Sequence, residues 1–270
     1  MPHYTFAVAL STLLAVYALR KKSLSKDGAA GAFALGMVTF SSNYWLFTVV
    51  LLIKADRKRL LEEDYEKSSE RTIIQVICNG LVAGIVVTMY QMTFESQNTL
   101  TCFDDDKWST VLIWTYIGHY ACCAGDTWAS EIGILNKTWP VLITTFKRVP
   151  PGTNGGISQL GLLASFGGGA TMGLAAAITL ALEQRCHGFA YEIMLVGAAA
   201  GLVGSLIDSL LGATVQRTLY SKKEGKIVGK ASDKNVTVIS GIDILDNHQV
   251  NFVCSVVTSA LCGLAAWYIY

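Results

Sequence analysis

The chain has 270 residues, of which 52% are hydrophobic and only 15% are charged, and its formal net charge is +1. A soluble globular domain carries about 25% charged residues, so this balance indicates a polytopic membrane protein. The near-zero net charge gives no electrostatic case for a nucleic-acid partner.

Seven mostly apolar stretches follow one another along the chain, each close to the roughly 20 residues that a helix needs to cross a bilayer. None alternates as a membrane barrel strand does, so the sequence predicts an all-α, polytopic transmembrane helix bundle. We expect a single multi-pass membrane domain over residues 1–270, with spans at 3–19, 28–53, 73–94, 108–131, 158–182, 190–214 and 250–270.

The charges of the connecting loops predict the orientation, because loops rich in Lys and Arg stay in the cytosol. Three loops are basic and are expected in the cytosol, namely 54–72, 135–157 and 215–249. Two loops contain one basic residue each and are expected on the other side, namely 95–107 and 183–189. The latter two contain Cys102 and Cys186, and the sequence leaves open whether these pair.

Segment 20–27 is also basic, which leaves two interpretations of the stretch that follows it. Both 20–27 and 54–72 can be cytosolic if 28–53 enters the membrane and returns as a broken hairpin, with 41–43 (Ser-Ser-Asn) as the polar break. The alternative is one plain crossing, with 20–27 outside. The charge pattern favours the hairpin.

Polar side chains that are costly in a bilayer gather at the predicted cytosolic face. Near helix ends they are Asp126, Ser130, Glu131, Asp208 and Asn79. The glycine-rich loop Pro151–Gly156 lies on the same side and follows Lys147 and Arg148. A carboxylate at the edge of the hydrocarbon layer is costly unless it is hydrated, paired with another side chain or bound to a cation. The placement of these residues therefore predicts a functional site.

Phosphoryl transfer is the chemistry that these residue types fit. Carboxylates can hold Mg²⁺, which also bridges substrate phosphates. Backbone N–H groups of a glycine loop, together with basic side chains, can bind phosphate oxygens. A site at the bilayer rim would let a lipid phosphate meet a water-soluble nucleoside triphosphate.

Five segments resemble the transmembrane protein 19 family of eukaryotes, and the similarity runs from Lys22 to beyond Asn251. They are Gln75–Gly80, Gly125–Gly133, Leu142–Thr145, Val149–Gly156 and Asp208–Thr214. That family is similar to plant phytyl phosphate kinase and, more distantly, to the CTP-using dolichol and phytol kinases. The loop has Pro-Pro-Gly-Thr-Asn where dolichol kinases have another form, so CTP and ATP both stay open as co-substrates.

The resemblance implies an isoprenoid-phosphate kinase-like phosphotransferase that uses a nucleoside triphosphate and Mg²⁺. The catalytic residues would be Asp126, Ser130, Asn79 and Asp208. The metal ligands would be Asp126, Glu131 and Asp208. The phosphates would be held by Lys147, Arg148, Gly152, Thr153, Asn154, Gly155 and Gly156.

The expected partners are the lipid bilayer, an isoprenoid or polyprenyl phosphate and the nucleotide, and the expected location is the endoplasmic reticulum. Two other classes stay open. A membrane transporter or lipid scramblase would place its site near the bilayer midplane, on broken helices. A structural multi-pass membrane protein would use the same acids only as helix caps.

Overall fold

The computed structural model describes residues 4–52, 71–95, 102–184, 186, 188–223, 225–228 and 236–270, and within them the chain is mostly helical. The helices are α1 (Tyr4–Arg20), α2 (Lys26–Phe40), α3 (described over 45–52), α4 (Ile73–Tyr90), α5 (Lys107–Gly133), α6 (Gln159–Leu182), α7 (Tyr191–Val215) and α8 (Asn247–Ile269). A π-helical turn, Gln91–Glu95, extends α4, and a 3-10 turn, Phe103–Asp105, precedes α5.

Four described segments are long and apolar enough to cross a membrane, and they match four of the predicted spans. They are Ile73–Glu95, Gln159–Leu182, Tyr191–Val215 and Asn247–Ile269. The predicted span 3–19 corresponds to α1, which is apolar but has only 17 residues. The predicted total of seven spans stays a prediction.

Helix α5 is the centre of the bundle and packs against α4, α6, α7 and α8. Every residue from 116 to 125 is buried, on all sides of the helix. A helix that is buried all round is shielded from lipid by its neighbours. This position explains why α5 can carry histidine, threonine and tyrosine side chains along a membrane-length segment.

The segment 28–53 is broken between α2 and α3, at residues 41–44. The backbone N–H of Asn43 donates to the Glu95 carboxylate at 3.0 Å, and the N–H of Trp45 donates to the Glu183 carboxylate at 2.8 Å. Acids from the ends of α4 and α6 therefore satisfy backbone donors at the start of α3, where a helix attracts negative charge.

Residues on either side of this segment and the loop after it meet at one end of the bundle. Leu24 and Arg71 form a parallel β-bridge, and the N–H of Ser25 donates to the carbonyl of Arg71 at 3.0 Å. A single crossing between residues 24 and 71 would put them on opposite sides. Their contact favours the broken hairpin.

Two small sheets lie in the connections at one end of the bundle, which we call the sheet end. The first pairs β1 (Val141–Leu142) with β2 (Gly156–Ile157), and the second has the order β4-β3-β5, with β3 at Thr218–Ser221, β4 at Lys226–Val228 and β5 at Val236–Ser240. The all-α prediction missed these strands because they have only two to five residues and lie in basic connections.

At the opposite end, Cys102 and Cys186 form a disulfide with a Cα–Cα distance of 4.7 Å. The bond joins the α4–α5 connection to the α6–α7 connection, and we call this the disulfide end. The sequence had left this pairing open. These two connections are the ones predicted to lie outside the cytosol, where disulfides persist.

Candidate functional site

Glycines allow α5, α6 and α7 to come into backbone contact. These contacts lie beside the predicted site residues, on the side of the disulfide end. A Cβ atom on Gly125 would lie 2.5 Å from the carbonyl oxygen of Gly201, and one on Gly201 would lie 2.5 Å from that of Ser165. Close approach through small residues is how helices pack where lipid supplies no hydrophobic driving force. The glycine preceding Asp126 is therefore required for packing.

One layer of the bundle joins α5, α7 and α8 through two thiols and a glycine. A Cβ on Gly204 would lie 2.6 Å from the sulfur of Cys122. The Cys254 thiol donates to the Gly204 carbonyl at 3.0 Å, and the two sulfurs are 3.4 Å apart. All three residues are buried.

The next layer, one helical turn closer to the sheet end, contains the polar groups. Asp126 is four residues after Cys122, Asp208 is four after Gly204, and their carboxyl groups lie within hydrogen-bonding reach of each other. On α8, the Asn251 side chain donates to Asp208 Oδ1 at 3.3 Å once its amide is oriented to fit the network. Three helices thus each contribute one oxygen-bearing side chain to one place.

Glu131 does not join the aspartate pair. Among the described residues, no group of three His, Cys, Asp or Glu side chains at this end has its ligand atoms within 4.8 Å of one another. Glu131 is five residues after Asp126, and at about 100° per residue it faces a direction about 140° away. Glu131 thus does not form a close three-ligand group with Asp126 and Asp208 here, and its role as a metal ligand stays a prediction.

Ser130 and Asn79 both use their side chains within their own helices. The Ser130 hydroxyl is exposed and donates to the carbonyl of Thr127 at 2.9 Å. The Asn79 amide donates to the carbonyl of Gln75 at 2.8 Å, and its backbone carbonyl accepts from His119 Nε2 at 2.8 Å. Asn79 thus links α4 to α5 through its backbone.

The glycine loop lies against α7 directly after Asp208. Gly152 and Gly155 have φ values of +84° and +79°, which other residues adopt at a cost. A Cβ on Gly155 would lie 2.5 Å from the carbonyl oxygen of Ser209. The loop therefore approaches the helix at the residue that follows the second aspartate.

Three of the five amides predicted to hold phosphate already donate within the chain. The N–H groups of Thr153, Asn154 and Gly156 donate to Pro150 O at 3.2 Å, Thr218 Oγ1 at 3.1 Å and Thr153 O at 3.0 Å. Ser240 Oγ also donates to the Asn154 carbonyl at 3.3 Å. The three-stranded sheet thus holds the loop. Among these five amides, those of Gly152 and Gly155 form no hydrogen bond to another described residue.

Lys147 and Arg148 are exposed on the hairpin that follows β1. The Lys147 carbonyl accepts from the N–H of Leu142 at 2.9 Å, and Arg148 forms a bridge with Val141. Within the described ranges, neither side chain forms an ion pair, whereas Arg217 and Asp243 do. Both side chains are therefore accessible from outside the protein.

Two links near the site escaped the sequence analysis. One is the Cys122–Cys254 thiol pair, and the other is a 3.0 Å contact between Gln75 Nε2 and His248 Nε2 that joins the first turns of α4 and α8. The first had a signal in the sequence, because Cys122 is four residues before Asp126 and shares its face. The second depends on tertiary packing between distant segments.

The integral membrane protein family DUF92 matches residues 9–259. The chain belongs to this family. It is 38% identical to Protein PGR of Arabidopsis thaliana over 286 residues, covering 98% of this chain and 96% of that protein. No solved structure matches it.

More distant relatives are described as uncharacterized membrane proteins. One from Methanocaldococcus jannaschii is 27% identical over 225 residues, covering 78% of this chain and 82% of its own. One from Synechocystis sp. is 26% identical over 219 residues, covering 80% and 81%. The prediction of an integral membrane protein is confirmed, and the names say nothing of the reaction.

A hard cation fits the aspartate pair. Two carboxyl groups in contact repel each other when both are ionised, so either a proton or a cation must lie between them. The ligands present are the oxygens that Mg²⁺ prefers. Two carboxylates would leave most coordination positions for water and phosphate oxygens.

Proposed function

We propose that this protein is an isoprenoid-phosphate kinase-like phosphotransferase that works with Mg²⁺ at the sheet end of the bundle. The proposal rests on the proximity of the Asp126 and Asp208 carboxyl groups. Asp126 and Asp208 would hold Mg²⁺, and the ion would neutralise charge on the transferred phosphoryl group. We take the sheet end to be cytosolic and the membrane to be that of the endoplasmic reticulum.

The reaction would form one P–O bond and break another. A phosphate oxygen of the lipid monophosphate attacks the γ-phosphorus of CTP or ATP, and the bond from that phosphorus to the bridging oxygen breaks. A nucleoside diphosphate leaves and a lipid diphosphate remains. The nearby Gly152 and Gly155 amides, with Lys147 and Arg148, would bind phosphate oxygens.

The resemblance of the sequence to the transmembrane protein 19 family, and through it to phytyl and dolichol kinases, supports this reaction class by analogy. The motif Gly125–Gly133 and the loop Val149–Gly156 carry that analogy. In this chain the loop is adjacent to α7 just after Asp208, which is the proximity that a metal–phosphate site needs.

Purified protein in nanodiscs tests the proposal directly. Prenyl monophosphates of several chain lengths, Mg²⁺ and γ-labelled CTP or ATP should give a labelled lipid diphosphate. Asp126→Asn and Asp208→Asn should abolish the product, whereas Asp243→Asn, at an exposed carboxylate, should keep it. Folded wild-type protein that labels no lipid across the panel would refute the assignment.

A transporter or scramblase is the second candidate, and the break at 41–44 is the feature that favours it, because transporters use discontinuous helices. Against it, this break lies at the disulfide end, beside Glu95 and Glu183, and not midway along the bundle. Flux across liposomes that persists in the Asp126→Asn/Asp208→Asn double variant would favour this candidate. A purely structural role predicts neither product nor flux.

A further inference from the structure

A long apolar groove runs between α2 and α4 on the outside of the bundle. It has a volume of about 540 Å³ and is lined on α4 from Ile73 to Met89. Its α4 wall includes Ile77, Leu81 and Ile85, each at least 44% exposed. These residues recur every four positions, so they form one stripe along a membrane-length helix.

Small residues create the groove. Gly31 and Ala34 on α2 and Gly80 and Gly84 on α4 line it, and Leu35 packs into the space that the α4 glycines leave. Because the groove opens sideways from a spanning helix, the hydrocarbon layer is what borders it. A hydrocarbon chain is therefore the occupant that its chemistry selects.

The two walls of the groove differ in length. The α4 lining from Ile73 to Met89 is 16 steps at about 1.5 Å each, or about 24 Å along the helix axis, whereas the α2 lining from Gly31 to Val38 is about 10 Å. A chain in the groove is therefore flanked by both helices over part of its length and lies along the α4 stripe beyond it. The isoprenoid identity of that chain rests on the proposed function.

The groove ends beside the polar layer of the sheet end. Val76 lines it, and the preceding residue, Gln75, contacts His248 on α8. One turn further along α8, Asn251 contacts Asp208. A phosphate carried by a chain in the groove would emerge at the α4–α8 contact, next to the aspartate layer.

We propose that the α2–α4 groove binds the polyisoprenoid chain of the lipid phosphate and presents its head to the Asp126–Asp208 site. The choice of a phosphorylated lipid rests on the proposed function, whereas the chain site itself is defined by the groove. Chain binding and phosphoryl transfer can therefore be measured separately.

Photocrosslinking without nucleotide tests chain binding. Diazirine-tagged farnesyl, geranylgeranyl and undecaprenyl phosphates are added to nanodiscs, and labelled peptides are mapped. We expect adducts on α2 and α4 residues of the groove. Ala34→Trp, which fills the groove, should lower the yield about tenfold, the cost of losing about two buried methylene groups.

Ile74→Trp is the matched control, because Ile74 is 62% exposed on the same helix and lies outside the groove. Equal yields in Ala34→Trp and Ile74→Trp would overturn the proposal. Equal labelling by a diazirine phospholipid, or protein–protein adducts in place of lipid adducts, would overturn it as well. Selective labelling with no diphosphate product would instead keep the chain site and reject the kinase reaction.

Discussion

The carboxyl group of Asp208 on α7 lies within hydrogen-bonding reach of the carboxyl group of Asp126 on α5. Two helices that run in the same direction bring them together, one turn after the contact of Gly204 with Cys122. Like charges at this distance oppose folding unless something positive separates them. Binding of a cation between the two carboxyl groups should therefore also raise the free energy of unfolding.

Asp208→Asn should separate these two effects. It removes one of the like charges, so we expect an unchanged or raised unfolding temperature without metal. Mg²⁺ at about 100 times its Kd should add about 2.7 kcal/mol to the wild-type free energy of unfolding and nothing to the variant. Thermal unfolding with and without Mg²⁺ measures this, and Asp243→Asn should respond like the wild type. If Mg²⁺ stabilises Asp208→Asn as much as Asp243→Asn, the Asp126–Asp208 pair does not bind the metal.

Gly125→Ala should destabilise the bundle by about 1–3 kcal/mol, because its Cβ has no space against the Gly201 carbonyl. Gly167→Ala is the matched control in α6, since a Cβ there meets only the Trp128 ring at 3.7 Å. Denaturant unfolding in detergent gives both values. Equal costs at the two positions would show that the backbone contact is unimportant.

Cys186→Ser should lower the free energy of unfolding by about 2–5 kcal/mol, the usual effect of losing a disulfide. A reductant should lower the wild type to the level of the variant and leave the variant unchanged. Cys78→Ser, at a free and partly buried cysteine, serves as the control. If reduction does not change the wild-type unfolding curve, the Cys102–Cys186 bond contributes no stability.

Phe146→Gly should stabilise the protein by about 0.5 kcal/mol, because its φ of +54° costs an L-residue about 1–2 kcal/mol, whereas the freedom that glycine adds to the unfolded chain costs about 0.4–1 kcal/mol. The side chain is 75% exposed, so little packing is lost. Thr145→Gly next to it should instead destabilise, since glycine there adds freedom to the unfolded chain and removes the hydroxyl that accepts from the N–H of Lys147 at 3.4 Å. Chemical unfolding of the two variants measures the difference, and the same sign for both would contradict this account.

Asp27 should make the junction of α2 and α4 sensitive to acid. The Ser25 hydroxyl, followed by the N–H of Ile73 at 3.1 Å, lowers the pKa of the Asp27 carboxyl below its usual value. The ionised form is therefore favoured by folding. Its contribution is present above the unfolded pKa of about 3.9 and is lost as the pH falls through the lower folded pKa.

Unfolding midpoints of wild type and Asp27→Asn measured from neutral to acidic pH give the test. We expect a difference at neutral pH that shrinks below about pH 4. The effect should be small, since the carboxyl group is solvent-exposed. A difference that is constant over this range would contradict the lowered pKa.

The proximity of Asp126 and Asp208 could be predicted because both lie late in helices of the same direction. The position of Glu131 could not be judged from its nearness in sequence, since five residues rotate it to another face. The Asn154 amide was expected to be available, yet it donates to Thr218, 64 residues away. No local pattern reveals such a contact, because the strands that make it are very short.

The Cys102–Cys186 bond also constrains biogenesis. Oxidation of thiols requires an environment outside the reducing cytosol, so that end of the nascent protein must be translocated before the cross-link can close. A chain in which this end has not been translocated would lack the covalent link between the α4–α5 and α6–α7 connections. Gel mobility without reductant therefore reports which molecules have both of these connections outside the cytosol.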